Sequence, residues 1–300
     1  IYLQDRMGNL DKIIKLDSTT TTAGNAASST LKVTYTQTSF VERTTKLSDL
    51  GVNYLTSAVV SKTEAQAAAE GYTCVHNANE LRTYVTANQN VMLMNDIDIG
   101  SWQPISNYRG TFDGNGYTLS NLSITSNDNQ VGLIGNLTNG GTIKNLQLKN
   151  CTVSATSTTS GSENAGLAAG ILVGNLSNGT IDNVSIVNSS VNGQVAGLIV
   201  GKLESGAIRN SFASGTATSS VSRVATATAG GIAGIMMNGS FENCGSFVTV
   251  SAGLSLVHYS TLGAGGTVGT MNDNNYSATI INSYTSANVG INGSCSSSAG

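Results

Sequence analysis

Hydrophobic and polar positions recur along residues 132–282 in five copies of one pattern. In each copy two glycines flank two or three small apolar residues, a polar stretch follows, and an apolar residue then stands two positions before an asparagine. The asparagines are 38, 27, 33 and 39 residues apart. A repeat of this length is typical of stacked units that bury a continuous core only together. The repeated positions are Gly132, Gly135 and Asn145; Gly170, Gly174 and Asn183; Gly197, Gly201 and Asn210; Gly231, Gly234 and Asn243; and Gly266, Gly269 and Asn282.

Each copy contains two or three short apolar runs separated by Asn-Gly, Ser-Gly or Gly-Gly pairs. The runs are too short for a sandwich, and no helical pattern of crossover length stands between them. Parallel pairing of each strand with its equivalent one turn later satisfies both facts, and parallel crossovers are right-handed. The pattern therefore predicts an all-β fold, a right-handed parallel β-helix. We expect the glycines where turns approach closely, and the asparagines in a hydrogen-bonded ladder.

The chain before the repeats has a different pattern. Ile1–Leu16 carries apolar residues at helical spacing, and Leu31–Phe40 alternates in the manner of a strand. Thr63–Glu70 is rich in alanine and predicts a second helix. We therefore divide the chain into an extra N-terminal helix-and-strand segment, 1–71, with a role in assembly or as a linker, and a β-helix, 72–300.

A short capping helix and a strand open the predicted β-helix. The side chain of Asn77 or Asn79 can accept hydrogen bonds from the free N–H groups at the start of a helix that ends near Tyr84. Val91–Ile99 alternates and predicts a strand. The Asp-Gly-Asn-Gly run at 113–116 supplies positive-φ positions for a tight turn.

These motifs together resemble the GLUG-motif repeat family, which consists of large bacterial surface and secreted proteins. The resemblance rests on Trp-x-Pro-Ile at 102–105, on GTFDGNGYTLSNL at 110–122 and on VGLIGNLTNGGTIKNL at 131–146, and it covers residues 72–292. The family includes adhesins and the non-catalytic segments of IgA-cleaving peptidases. It implies a parallel β-helix and an extracellular or cell-surface location. It implies no chemistry, because a fold does not fix a function.

Composition excludes two classes of partner. The net charge is −3, only 10% of residues are charged, and no Lys/Arg cluster is present, so we expect no nucleic-acid partner. No stretch reaches the length of about 18 apolar residues that crosses a membrane. The abundant Ser, Thr and Asn favour weak contacts with a host or environmental glycan or protein, or with sister subunits in a surface assembly. We expect no cofactor.

Four cysteines lie far apart and lack the CxxC spacing of a zinc site. We interpret them as small buried side chains, and the pattern leaves a disulfide open. They are Cys74, Cys151, Cys244 and Cys295.

Three carboxylates are the weak metal candidates of this chain. We expect Asp96, Asp98 and Asp113 to converge near the first turn of the β-helix. There they either cap turns through their side-chain oxygens or bind Ca²⁺.

Four charged residues share one repeat position and alternate in sign: Lys144, Asp182, Arg209 and Glu242. Stacked neighbours of this kind are typical of a solvated ladder of ion pairs. The alternative is a carbohydrate-active cleft, because glycosidic hydrolysis typically needs two facing carboxylates. The protease and hydrolase motifs HExxH and GxSxG do not occur in the sequence.

We therefore expect a non-enzymatic extracellular surface protein, an adhesin, stalk or filament subunit that displays loops from a rigid β-helix. One alternative is a carbohydrate-active β-helix, either a polysaccharide lyase or a depolymerase. Another is a passive spacer in a larger secreted protein. We expect recognition in the polar excursions that interrupt the repeat and at an uncapped end, 293–300. The most apolar excursion supplies five predicted contact residues: Leu254, Leu256, His258, Tyr259 and Leu262.

Overall fold

The described chain is built almost entirely from parallel β-strands. The computed structural model describes residues 30–33, 43–46, 59–156, 167–221, 226–255, 261–271 and 277–294. Within these ranges, all strand pairs except one near the start of the chain run parallel. The predicted all-β class is confirmed.

The N-terminal elements are a strand pair and a capped helix. Strands β1 (Thr30–Val33) and β2 (Arg43–Lys46) pair antiparallel. Helix α1 (Glu64–Ala69) begins after Thr63, whose hydroxyl accepts a hydrogen bond from the N–H of Gln66. The Gln66 side chain accepts in return from the N–H of Thr63, so two otherwise unpaired donors are satisfied. The helix predicted here is confirmed.

A second helix covers the start of the strand stack. Helix α2 (Ala78–Thr86) begins after Asn77, whose Oδ1 accepts from the N–H of Glu80 at 3.0 Å. The helix buries Leu81 and Val85 against the strands. The predicted capping helix is confirmed, and it runs two residues further than the pattern indicated.

The first strands after α1 are short. They are β3 (Thr73–Val75), β4 (Val91–Leu93), β5 (Ile97–Asp98), β6 (Ile105–Tyr108), β7 (Thr111–Asp113), β8 (Thr118–Ser120) and β9 (Ser123–Ser126). The prediction of one strand over Val91–Ile99 is wrong, because the chain turns a corner between β4 and β5. Strand β4 pairs with β3 and β7, whereas β5 pairs with β8. The Asn95 amide holds the corner by donating to the carbonyls of His76 and Asp96.

The later strands also pair parallel with one another. They are β10 (Gln130–Val131), β11 (Ile134–Thr138), β12 (Thr142–Lys149), β13 (Thr152–Ala155), β14 (Ala168–Gly170), β15 (Val173–Asn192), β16 (Val195–Gly197), β17 (Val200–Arg209), β18 (Phe212–Val221), β19 (Thr226–Gly230), β20 (Ala233–Met236), β21 (Gly239–Glu242), β22 (Gly245–Ser255), β23 (Thr261–Gly265), β24 (Val268–Met271), β25 (Ala278–Ile281) and β26 (Tyr284–Ser294). Strands β10, β14, β16, β19 and β23 form a five-stranded parallel sheet. The others in this group join β3–β9 in a second, larger network of parallel pairs.

Parallel pairing brings the same repeat position together in successive turns. One apolar column runs through Ile143, Ile181, Ile208, Phe241 and Ile280. The first four of these side chains are fully buried. Burying an Ile or Phe side chain contributes about 1.5–3 kcal/mol relative to leaving it exposed. The core is therefore a set of continuous columns that no single turn could bury alone.

The glycines that open the copies lie where turns touch. A Cβ added to Gly170 would lie 2.8 Å from the main-chain nitrogen of Gly201 in the neighbouring turn, and one added to Gly197 would lie 2.5 Å from that of Gly234. A Cβ on Gly201 would lie 2.5 Å from the main-chain nitrogen of Ala169 in the neighbouring turn. The glycines are therefore required by the close approach of the main chain.

The strand register shows that the sequence pattern placed the first glycine of the last two copies one residue too late. Gly197 pairs with Gly230, and Gly230 pairs with Gly265. The equivalent residues are thus one position before Gly231 and Gly266, because both copies contain an extra glycine at this point.

One of the predicted polar excursions, residues 219–228, is shorter than the sequence indicated. Both ends of the excursion at 219–228 belong to strands β18 and β19. Residues 157–166, 222–225, 256–260 and 272–276 lie outside the described residues. So do the predicted helix Ile1–Leu16 and the end at 295–300.

Replacing Gly197 by Ala should lower the free energy of unfolding by about 1–3 kcal/mol, because the new methyl group would collide with main-chain atoms of Val200 and of Gly234 in the neighbouring turn. Gly253→Ala is the matched control, since a Cβ there meets its nearest atom at 3.6 Å, an ordinary contact. Urea denaturation followed by circular dichroism measures both. Equal stability of the two variants would contradict the close-approach explanation.

Candidate functional site

The anchoring asparagines share a left-handed backbone. Their φ angles are 54°, 54°, 47°, 54° and 49° at Asn145, Asn183, Asn210, Asn243 and Asn282. Asparagine tolerates this region better than most residues because its short amide can bond to nearby groups. Each asparagine therefore marks a corner where the chain passes from one strand direction to the next.

The asparagine side chains also bond from turn to turn. The amide of Asn145 donates to Oδ1 of Asp113 at 3.1 Å, and the amide of Asn183 donates to Oδ1 of Asn145 at 3.0 Å. Asp113 is 3% exposed and also accepts from the N–H of Asn115 at 2.8 Å. A buried carboxylate thus accepts at the head of this ladder.

Asp182 is a second carboxylate acceptor among the corner asparagines. Its Oδ1 accepts from the amide of Asn210 at 2.9 Å, and Oδ1 of Asn210 accepts from Asn243 at 3.1 Å. The expected asparagine-to-asparagine bonds are therefore present, and Asp113 and Asp182 are additional carboxylate acceptors on the same line. A hydrogen bond to a carboxylate is stronger than one between amides, which explains why Asn210 bonds to Asp182.

The residue after a corner asparagine forms a further bond that the sequence analysis missed. At Asn210, Asn243 and Asn282, and at two further asparagines with positive φ, Asn150 and Asn188, the next residue is Ser or Cys, and its side chain donates to the carbonyl oxygen two residues earlier. These residues are Cys151, Ser189, Ser211, Cys244 and Ser283, and their acceptors are Lys149, Val187, Arg209, Glu242 and Ile281. The signal was present in the sequence as repeated Asn-Ser and Asn-Cys pairs.

The cysteines at these corners replace serine as small buried donors. Cys151 and Cys244 are buried and free, and burial raises the pKa of each thiol to about 11. Cys74 is half-buried and free. Cys295 lies outside the described residues.

The four alternating charges do stack, but they do not form one continuous ladder. Lys144 pairs in register with Asp182, and Asp182 with Arg209. On this line of the described chain, the ion pairs are Lys144 Nζ to Asp113 Oδ2 at 3.4 Å and Arg209 Nε to Glu242 Oε2 at 3.8 Å. Asp182 instead accepts a hydrogen bond from the amide of Asn210, so its carboxylate helps to hold the corner at that asparagine.

The three calcium candidates do not converge. Asp96 accepts from the N–H of Thr118 at 2.8 Å, and Asp98 accepts from the amide of Asn121 at 3.0 Å. Asp113 accepts from the amide of Asn145. Across the ranges that the structure describes, no group of three or more His, Cys, Asp and Glu residues could hold a metal ion. Each aspartate accepts a hydrogen bond from a different residue of the neighbouring turn.

His76 joins the two helices at the start of the stack. Its Nε2 lies 2.8 Å from Glu64 Oε1, and its Nδ1 lies 3.2 Å from Glu80 Oε2. The hydrogen bond with Glu64 is the main cause that raises the pKa of His76 above its ordinary value of 6.5. These contacts give the histidine a structural role in the cap.

Most of the predicted contact loop lies outside the described residues. Leu256, His258 and Tyr259 are outside the described residues. Leu254 lies in β22, and Leu262 lies in β23, where it is partly buried against the core. The loop therefore stays a prediction.

No helix among the described residues is both long enough and apolar enough to span a bilayer.

Comparisons with known proteins identify a shared fold and one local sequence match. No family model matches the chain. A segment of 102 residues, 32% of the chain, is 35% identical to halomucin of Haloquadratum walsbyi, and the match spans 1% of halomucin. A solved structure of a candidate immunoglobulin A1 protease from Bacteroides ovatus is similar with a TM-score of 0.56 at 24% identity. The likeness covers 73% of this chain and 67% of that chain and shows the fold alone. The GLUG-motif resemblance stays a prediction.

Asn183→Ala should lower the free energy of unfolding by about 2–3 kcal/mol, because alanine is strained at positive φ and the ladder loses a hydrogen bond. Asn183→Gly should lose less, since glycine relieves the backbone strain. Asn139→Ala is the control at an exposed turn with φ 51°. Thermal and urea unfolding compare the three. Equal losses for Asn183→Ala and Asn183→Gly would contradict the role of the left-handed corner.

Proposed function

We propose that residues 72–294 form a right-handed parallel β-helix. In-register parallel pairs between equivalent positions of successive turns support this architecture. The corner asparagines support it too, because a coil must bend at the same places in every turn.

We further propose that this β-helix is a non-enzymatic extracellular surface protein, which acts as an adhesin, stalk or filament subunit. One observation carries the proposal: the repeated polar side chains are used to hold turns together. Asp113, Asn145, Asn183, Asp182 and Asn210 all bond between turns. The side chains that bond between turns are therefore scaffold, and recognition belongs to the surfaces that this scaffold displays. The match to halomucin supports a location at the cell surface or outside the cell.

The carboxylates best placed for glycosidic cleavage have structural partners. Asp182 accepts from Asn210, and Glu242 pairs with Arg209. A hydrolase needs one carboxyl group as an acid and a second as a base or nucleophile. Carboxylates that are bonded to side chains of neighbouring turns are poorly suited to act as the acid and the base. This favours the non-enzymatic function over a lyase or depolymerase.

Antibodies raised against the purified chain should label intact cells of the source organism as strongly as permeabilised cells. The same chain should release no reducing ends or unsaturated uronates from a panel of polysaccharides. Labelling that requires permeabilisation would contradict the surface location. Cleavage that Asp182→Ala or Glu242→Ala abolishes would contradict the non-enzymatic function.

A further inference from the structure

One outer face of the stack carries two columns of small uncharged polar side chains. Column A consists of Ser123, Thr152, Ser190, Thr216, Thr249 and Asn288. Column B consists of Thr125, Ser154, Asn192, Thr218, Ser251 and, at its last position, Gly290. Their members are exposed or half-buried, while the residues between them are buried in the core in every turn but the last, where Val289 is exposed. No member of either column is charged.

The two columns have a regular geometry. Paired strands lie about 4.8 Å apart, and alternate residues on one strand lie roughly 6.6 Å apart on the same face. Each turn therefore offers nearly the same pair of hydroxyl or amide groups at a fixed interval. A polymer of repeating units that lies along the columns would meet equivalent partners at every step.

Three aromatic rings stand on the same face beside column A. Phe212, Phe247 and Tyr284 are one or two outward positions before the column members of their strands. The ring centroids of Phe212 and Phe247 are 5.3 Å apart, and those of Phe247 and Tyr284 are 6.0 Å apart. The three rings form one patch.

The outer part of this aromatic patch is open to solvent. Phe247 is 37% exposed, and Tyr284, which lies on the last described strand, is 56% exposed, whereas Phe212 is buried against Phe247. A Cβ at Gly245 would collide with the Tyr284 ring, so the glycine leaves room for that ring against the sheet. Exposed aromatic side chains held in place by packing are characteristic of binding surfaces.

We propose that this face, columns A and B with Phe247 and Tyr284, binds a neutral polysaccharide. The inference rests on the proposed surface function and names its ligand class. Sugar rings offer C–H faces that stack on aromatic rings and hydroxyls that bond to Ser, Thr and Asn. The charge of the face matches an uncharged ligand, because the ion pairs of the repeats lie on another line of the stack. Repetition along the columns adds avidity to contacts that are individually weak.

The test is retardation of the purified full chain in native gels that contain a soluble polysaccharide. Neutral β-glucan, mannan and galactan are compared with the anionic polymers alginate and heparin. At least one neutral polymer should retard the chain, and the retardation should persist when the salt concentration is raised. The double variant Phe247→Ser, Tyr284→Ser should bind about tenfold more weakly, since each ring contact contributes a modest stacking energy. Ile281→Ser is the matched control, because Ile281 is a similarly exposed apolar residue on the line that holds Arg209 and Glu242.

A second variant pair tests the polar columns without removing an aromatic ring. Thr249→Lys places a charge in column A and should weaken the retardation, whereas Thr279→Lys, exposed on β25, should not. Circular dichroism verifies that all variants fold.

Retention only by anionic polymers, no retention by any neutral polymer, or equal binding by variants and controls would overturn the proposal. Sedimentation velocity gives one further outcome: self-association that the double variant abolishes would assign the patch to a second copy of the chain and would also overturn it. Any of these results leaves the surface location intact, because that is measured on whole cells. Cleavage of a bound glycan would instead contradict the non-enzymatic function.

Discussion

The structure depends on the requirement that each turn satisfies its main-chain hydrogen bonds with the equivalent part of the next turn. Buried N–H and C=O groups without partners cost free energy, so the turns must stay in register along the stack. Register then fixes where main chains approach and where corners fall. The glycines at Gly170 and Gly197, the left-handed corner at Asn183 and the serine at Ser211 are all consequences of that one requirement.

Some of this organisation could be predicted from the sequence, and the reasons for the rest are specific. The repeat predicted parallel stacking and an asparagine ladder, and the cap at Asn77 follows from known helix-start preferences. The bond from Asn210 to Asp182 could not be predicted, because the asparagine pattern does not show which polar groups a 27-residue spacing brings within reach. The prediction of one strand at Val91–Ile99 was wrong because the alternating pattern does not show that its two halves pair with different strands.

The candidate site was harder to predict than the fold. Sequence patterns direct attention to interruptions of a repeat, whereas the flat face proposed here for binding belongs to the repeat itself. Its hydroxyls are common residues at ordinary strand positions, and only the register shows that Thr216 lies beside Thr249 in one column. Phe247 and Tyr284 are 37 positions apart in the chain, and only stacking brings their rings together. The partners of Asp96 and Asp98 were hidden for a similar reason, since each accepts a hydrogen bond from the neighbouring turn, 22 and 23 residues later.

Removing one complete turn tests the central requirement most directly. Val173 and Val200 occupy equivalent positions, so deletion of residues 173–199 joins Leu172 to Val200 and preserves register. Deletion of 173–198 differs by one residue and reverses which side chains face the core. Urea unfolding followed by circular dichroism should show a cooperative β-rich fold for the first deletion and none, or a far less stable one, for the second. Equal stability of the two deletions, or loss of folding in both, would contradict the account.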